Sequence, residues 1–217
     1  MGPAAFPEDA CSLRDGPPAG VRAGLSGGWV GSTLKLSDHT EADFEQTSVL
    51  ASVSWRLGRT FTLQAGAGAL LGGYVQDLDG RHPFDPGLVL QLSGTWLLLA
   101  PKEGGPFVAA SLGLSFLRAS TQAGPAGPAA TFTAADAFAS ASAGWPVMPW
   151  LSPYLAAKVF GGPVWWERST GPVTGTDANH YQVALGVAAA LPGRFDLLAE
   201  VAPLGARAVT VAVGRSF

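Results

Sequence analysis

Large apolar residues recur at every second position along most of this chain, with small or neutral polar residues between them. Alternation of that period marks a β-strand whose two faces meet different surroundings. In the segment 46–57, Val49, Ala51, Val53 and Trp55 share one face, while Ser48, Ser52, Ser54 and Arg56 share the other. Near 86–99, Leu88, Leu90, Leu92, Trp96 and Leu98 oppose Gln91, Ser93 and Thr95. Near 106–119, Val108, Ala110, Leu112, Leu114 and Phe116 oppose Ala109, Ser111, Gly113 and Ser115. The same pattern runs through 60–76 and 178–191. It predicts strands near 20–36, 46–57, 60–76, 86–99, 106–119, 131–146, 152–168, 178–191, 194–203 and 206–217, and no helix of useful length.

The connections between these segments fall into two classes. Residues 57–60, 101–106, 146–153 and 191–194 are short and rich in turn formers. Residues 37–45, 77–85, 121–130 and 169–178 are longer, and acidic or rich in Gly, Pro and Thr. The two classes alternate along the chain until the last hairpin, which closes tightly around Leu204 and Gly205. An up-and-down antiparallel sheet of about ten strands satisfies this order, with short turns at one end and loops at the other.

Composition decides which solvent each face meets. Only 13% of the 217 residues are charged, about half the usual share, while 47% are hydrophobic. A soluble sandwich also alternates, but its outer face needs Lys, Glu and Arg. Those residues are scarce in the predicted strands. Ser, Gly and Ala make a poor solvated surface and suit the interior of a narrow barrel. The bulky apolar face is therefore expected to meet lipid. The expectation is an all-β fold: a closed antiparallel up-and-down transmembrane β-barrel over 20–217, preceded by an irregular N-terminal arm over 1–19. With an even strand count, short turns on the periplasmic side put both termini there.

Charge and cysteine content narrow the function classes. The net charge is -3, without a basic run, so nucleic acid finds no electrostatic footprint. A single cysteine, Cys11, excludes an internal disulfide and is expected to be an incidental thiol in the arm. No stretch reaches the roughly 18–20 apolar residues of a membrane helix. No basic-then-apolar export signal precedes Pro3, and such a signal is expected to have been removed, with Met1 added as a start.

The aromatics cluster at strand ends. Trp55, Trp96 and Trp145 each precede a short turn, and Phe61, Phe195 and Phe217 sit beside that same end. Aromatic rings favour the headgroup layer, so these six are expected to form a girdle. Trp165, Trp166, Phe116, Tyr74 and Tyr181 are candidates for the opposite belt, although adjacent Trp165 and Trp166 cannot both face lipid. The chain ends in Val209, Val211, Val213 and Phe217 on one face. In this the region 20–217 resembles small bacterial outer-membrane β-barrel proteins that end in an aromatic residue. The resemblance implies outer-membrane lipid and the barrel-insertion machinery as partners, the latter reading the terminal strand. Arg215 departs from the pattern by falling on the lipid face, where it could snorkel to the headgroups.

Candidate chemistry is sparse. His39 and His82 fall in loops, His180 begins a strand after Asp177, and no spacing matches a zinc site. Asp77, Asp79 and Asp85 make an acidic loop that lacks the later ligands of a calcium loop. No metal, cofactor or catalytic set is expected. Arg22, Arg56, Asp136, Lys158, Asp196 and Glu200 fall on inward positions. Charges in a narrow lumen must pair or stay hydrated, and an internal ion-pair plug is expected, with Asp136 and Lys158 on adjacent strands. The leading expectation is a structural or adaptor barrel in a larger envelope assembly of motility, secretion or export type. It would meet other envelope proteins through its arm or loops. A narrow channel or ligand-binding barrel is the alternative, and a barrel enzyme the second, with Asp77, Asp79, His82, Asp85 and His180 as its candidates.

Overall fold

The computed structural model describes residues 19–100, 105–122, 129–168 and 171–217. The expected arm, apart from its last residue, and Cys11 lie outside the described residues. The strands in chain order are β1 (Ala19–Leu36), β2 (Glu41–Leu57), β3 (Phe61–Asp77), β4 (Gly80–Pro83), β5 (Gly87–Leu99), β6 (Phe107–Gln122) and β7 (Ala129–Gly144). They continue as β8 (Leu151–Gly161), β9 (Val164–Arg168), β10 (Gly171–Asp177), β11 (Tyr181–Leu191), β12 (Phe195–Gly205) and β13 (Arg207–Ser216). Every pairing is antiparallel.

Two strands are interrupted. β8 and β9 run on from one another across Gly162 and Pro163, keeping one register against β7. Proline has no N–H for the ladder, so strand pairing lapses there. The Pro163 carbonyl still accepts the Ala135 N–H at 3.1 Å. β10 and β11 form the neighbouring wall, with Ala178 to His180 between them. Counting each interrupted pair once, ten strands close the lower part of the barrel. The ring is sealed where β1 pairs β13, from Arg22↔Ser216 to Gly31↔Arg207.

Above that level the ring narrows. The β12–β13 hairpin ends at Gly205, and the Ala206 N–H donates to the Tyr181 carbonyl at 3.1 Å. Over its tip, β10 pairs directly with β1, through Leu34↔Asp177, Lys35↔Thr176 and Leu36↔Gly175. β4 takes the place of β5 beside β3, and Phe84 bridges to Thr121 on β6. The upper ring is thus closed by eight strands: β1, β2, β3, β4, β6, β7, β9 and β10.

Polarity inverts between the two rings. In the lower ring, Leu25, Leu90, Leu92, Leu112, Leu114, Leu155, Leu185, Val201 and Val211 are exposed on the outer wall, as the alternation predicts. Ser52, Ser54, Thr62, Gln91, Ser93, Thr95, Ser111 and Ser115 are buried inside. In the upper ring the apolar residues turn inward. On β2, Ala42 and Phe44 are buried while Glu41 and Asp43 are exposed. Leu34, Leu70, Val75, Leu117, Phe132, Val164 and Trp166 join them in one cluster. The upper ring is a collar with an ordinary water-soluble distribution of side chains, and the lower ring is the membrane barrel. A transmembrane strand needs about 9–11 residues. The 17 residues of β2 and of β3 exceed that need, and the excess builds the collar.

Two expectations are corrected here. The segments 37–45, 77–85 and 169–178 are not simply loops, because they contain the start of β2, β4 and β10. Small residues do not line the whole lumen, because its upper half is filled by aromatic and aliphatic side chains.

Candidate functional site

The lumen is the place where function would be expected, and its side chains close it. In the collar, Phe44 stacks on Phe132 with ring centroids 5.7 Å apart, and Phe84 meets both edge-on at 5.7 and 5.1 Å. Phe44 points inward because it shares the phase of Ser48 and Ser52 along β2, not that of Val49 and Val53. Trp166, 1% exposed, extends the plug, and its indole N–H donates to Thr121 Oγ1 at 3.0 Å. Trp165 points the other way and is exposed. A lower apolar cluster of Leu97, Phe107, Tyr154 and Leu198 fills the barrel nearer its short-turn end.

The charges that the sequence places inside are held in several separate arrangements. Arg22 and Asp196 form a closed ion pair: Arg22 Nε donates to Asp196 Oδ1 at 2.9 Å, and Nη2 bonds Oδ2. Bidentate geometry and burial make this a fixed unit. Tyr154 donates its phenolic proton to Glu200 Oε2 at 2.9 Å. Lys158 lies over the rings of Phe138 and Phe160, 4.8 and 5.5 Å from their centroids. Its ammonium acts electrostatically on both Asp136 and Glu200, instead of belonging to Asp136 alone. Arg56 is half-buried on an inward position close to the turn that follows β2.

Asp177, which the sequence shows only as a neighbour of His180, occupies the junction of the two rings. It is 2% exposed. Its Oδ1 accepts the Ser32 hydroxyl and the Asn179 N–H, each at 2.8 Å. A small cavity of about 10 Å³ is lined by Asp177, Asp136, Leu34, Phe44, Phe132 and Val164.

At the rim, one arginine ties three connections together. Arg168 at the end of β9 bonds Asp38 and donates through Nη1 to Asp77 Oδ2 at 3.1 Å. Asp77 Oδ1 accepts the Asp79 and Gly80 N–H groups at 3.0 and 3.2 Å, and His82 Nε2 lies 3.3 Å from it. His82 packs edge-on against Trp166, with centroids 5.0 Å apart. The Thr40 hydroxyl and Arg168 hold the Asp38 carboxyl below its ordinary range, at about 2. Asp85 accepts from Gln122 at 2.9 Å, joining the β4–β5 connection to β6. Asp79 is exposed.

The three histidines do not converge. His39 sits in the exposed turn after β1, in a left-handed conformation at φ 66. His180 lies beside Gly161 where β8 meets β11. Asp77 uses both oxygens within the rim network, so the His82–Asp77 contact serves as a strut. Among the described residues, no group of three or more His, Cys, Asp and Glu is arranged to hold a metal.

The strand-end aromatics are placed at the short-turn end. Trp55, Trp96, Trp145, Phe195 and Phe217 are exposed, and Phe61 leans on Trp96 at 4.8 Å. Val209, Val211 and Val213 face outward from β13. Arg215 also faces outward, lying over Phe195 and Phe217 at 5.3 and 5.4 Å. Of the opposite belt, Tyr181 and Trp165 are exposed, Phe116 is half-buried on the outer wall, and Tyr74 is covered by Arg81 at 3.7 Å.

Comparison with known proteins places the fold. No family model and no curated protein matches the chain. Solved structures do. The outer membrane protease OmpT from Escherichia coli superposes with a TM-score of 0.59 at 12% identity, covering 95% of this chain and 100% of that one. The outer membrane protein OprG from Pseudomonas aeruginosa gives 0.46 at 10% identity, over 92% and 95% of the two chains. The transport unit of the autotransporter AIDA-I from Escherichia coli gives 0.46 at 13%, over 95% and 94%. The chain has the fold of bacterial outer-membrane β-barrels, a closed antiparallel barrel of ten strands.

Proposed function

We propose that the chain is a closed-lumen scaffold of the bacterial outer membrane, a structural or adaptor component of a larger envelope assembly. The plug carries this reading. Phe44, Phe84, Phe132 and Trp166 fill the collar, leaving side chains where a conduit would need water. A channel through the lumen would have to move at least two of these rings. The collar supports the reading too. Its eight-stranded ring and the Arg168 network present a rigid rim beyond the lipid belt, suited to holding a partner in place.

In this arrangement the short turns and both termini face the periplasm, and the collar faces outside. The six strand-end aromatics form the inner girdle, and the terminal strand serves as the insertion signal. Outer-membrane lipid then contacts the exposed leucines and valines, and the arm or the collar meets other envelope proteins.

The test has two arms on the full chain folded in detergent. Planar-bilayer recording of the wild type should show no conductance steps. Mild-detergent purification from the native membrane should recover a stoichiometric envelope partner. Steady conductance by the wild type, or repeated recovery of the barrel alone, overturns the scaffold reading.

A further inference from the structure

One row of side chains on the outer wall ends the apolar surface. On β6 the outward residues Leu112, Leu114 and Phe116 lead up to Arg118, which is exposed. Arg118 pairs with Thr133 on β7, and Thr133 with Trp165 on β9. A guanidinium, a hydroxyl and an indole thus share one outward row at the base of the collar. Among the described residues Arg118 forms no ion pair. The next row down is Phe116, Ala135 and Pro163, about 7 Å nearer the membrane core. Below it stand Leu114, Ala137 and Gly161. Ala135, Ala137 and Gly161 are too small to fill the space beside these bulky neighbours, and a groove of about 610 Å³ lies there. It crosses the wall from Gly161, the last residue of β8, to Ala65, near the short-turn end of β3. Four strand spacings give it a length of roughly 19 Å. Its volume falls among those of small-ligand sites, about 300–1,000 Å³.

We propose that this groove holds one acyl chain of an anionic membrane lipid, with the lipid phosphate bound by Arg118. The groove is continuous with the exposed leucines of the lipid-facing wall, and the charge at its upper edge matches a phosphate. The chain enters past Ala135, the gap between Phe116 and Pro163, and lies along the floor made by Ala137 and Gly161. Lipid tails are as apolar as the groove, so filling it gains packing but no preference among lipids. Preference comes from the head, where a charge-assisted bond from guanidinium to phosphate is the strong contact. Thr133 and Trp165 stand in the same row, with a hydroxyl and an indole N–H able to donate to head-group oxygens. The site does not depend on the scaffold reading, and it would exist equally in a barrel with another role.

The experiment is native mass spectrometry of the full chain, released from detergent micelles doped with phosphatidylglycerol or with phosphatidylcholine of the same acyl chains. The wild type is expected to retain one phosphatidylglycerol, and about tenfold less phosphatidylcholine, the difference of one charge-assisted bond. Arg118→Gln should remove that preference. Ala135→Phe, which closes the gap, should release both lipids. Arg207→Gln, at an exposed arginine of β13 outside the groove, should change neither. Each variant is checked for folding by its shifted gel mobility without heating. If Ala135→Phe does not fold, Ala137→Phe takes its place, and Arg118→Gln decides by itself should both fail. No retained lipid in the wild type, or equal retention of the two lipids, overturns the proposal. Unchanged retention in Arg118→Gln or in the filled groove also overturns it and assigns the lipid to another part of the wall. A barrel dimer that Ala135→Phe dissolves gives the groove to a second copy and overturns the proposal as well.

Discussion

The Ser32 hydroxyl donates to Asp177 Oδ1 at 2.8 Å across the seam where the barrel changes from ten strands to eight. Ser32 lies between Gly31, which pairs with Arg207 on β13, and Leu34, which pairs with Asp177 on β10. At this height β1 exchanges one partner for another, and a backbone ladder alone cannot cover the step. The side-chain bond does so, together with the Ala178 N–H donating to the Thr33 carbonyl at 2.8 Å.

The Arg22–Asp196 pair gives a stability prediction with a built-in control. Arg22→Met should destabilise the barrel by about 3–5 kcal/mol, because it strands a buried carboxylate. Arg22→Met with Asp196→Leu should recover much of that loss, since a packed apolar pair replaces two buried ions. Urea unfolding in lipid vesicles reads both. A double variant as unstable as the single one would show that other neighbours of Arg22, not the pair, matter most.

Phe132 is fully buried between Phe44 and Phe84. Phe132→Ala should cost about 3–5 kcal/mol through lost burial and the cavity left behind. Phe132→Leu should cost less, because it keeps most of the volume. Calorimetry or urea titration of both variants checks the order.

The rim network should loosen in acid. The folded-state carboxyl of Asp38 is held down to about 2 by the Thr40 hydroxyl and then by Arg168. A carboxyl so depressed adds stability above its unfolded value near 3.9 and loses it as pH falls through the folded one. Between pH 7 and 5 the turn after β1 should resist proteolysis uniformly. Between pH 4 and 2 it should open, and Asp38→Asn should abolish that pH dependence. Amide exchange at 37–40 measured against pH tests this.

Gly205 turns the β12–β13 hairpin at φ 76, and a Cβ added there would come within 2.0 Å of the Tyr181 carbonyl. Gly205→Ala therefore meets a disfavoured backbone conformation and a clash with main chain. It should cost at least about 1 kcal/mol and lower the folded fraction on a gel run without heating. Leu204→Ala, an exposed neighbour, should leave that fraction unchanged.

The outer wall of the lower ring is legible in the sequence because one rule governs it, although Leu97, Phe107, Tyr154 and Leu198 turn bulky side chains inward. Leu88, Leu90, Leu92, Trp96 and Leu98 against Gln91, Ser93 and Thr95 keep a single phase up to the register shift at Leu97–Leu99. The collar breaks that rule without breaking the period. In Glu41-Ala42-Asp43-Phe44-Glu45 the alternation continues, but Phe44 stands in the phase of Ser48. A rule that sends bulky residues to lipid reads such a stretch as loop. The flipped phase, acidic outside and apolar inside, was the available signal. β4 and β10 carried none, since Gly80, Pro83, Gly171 and Pro172 are turn formers. The inward charges were placed by phase alone, yet phase does not show which will pair. Arg22 and Asp196 are 174 residues apart, and only closure of the sheet brings them together.

The narrowing has a consequence for how each circle closes. Every contact that completes the upper circle lies between Ala19 and Asp177, so that circle needs nothing from the final hairpin. The lower one stays open along β1 until the segment from Phe195 to Ser216 is in place. The crown is thus a closed circle in its own right, and the base owes its closure to one hairpin.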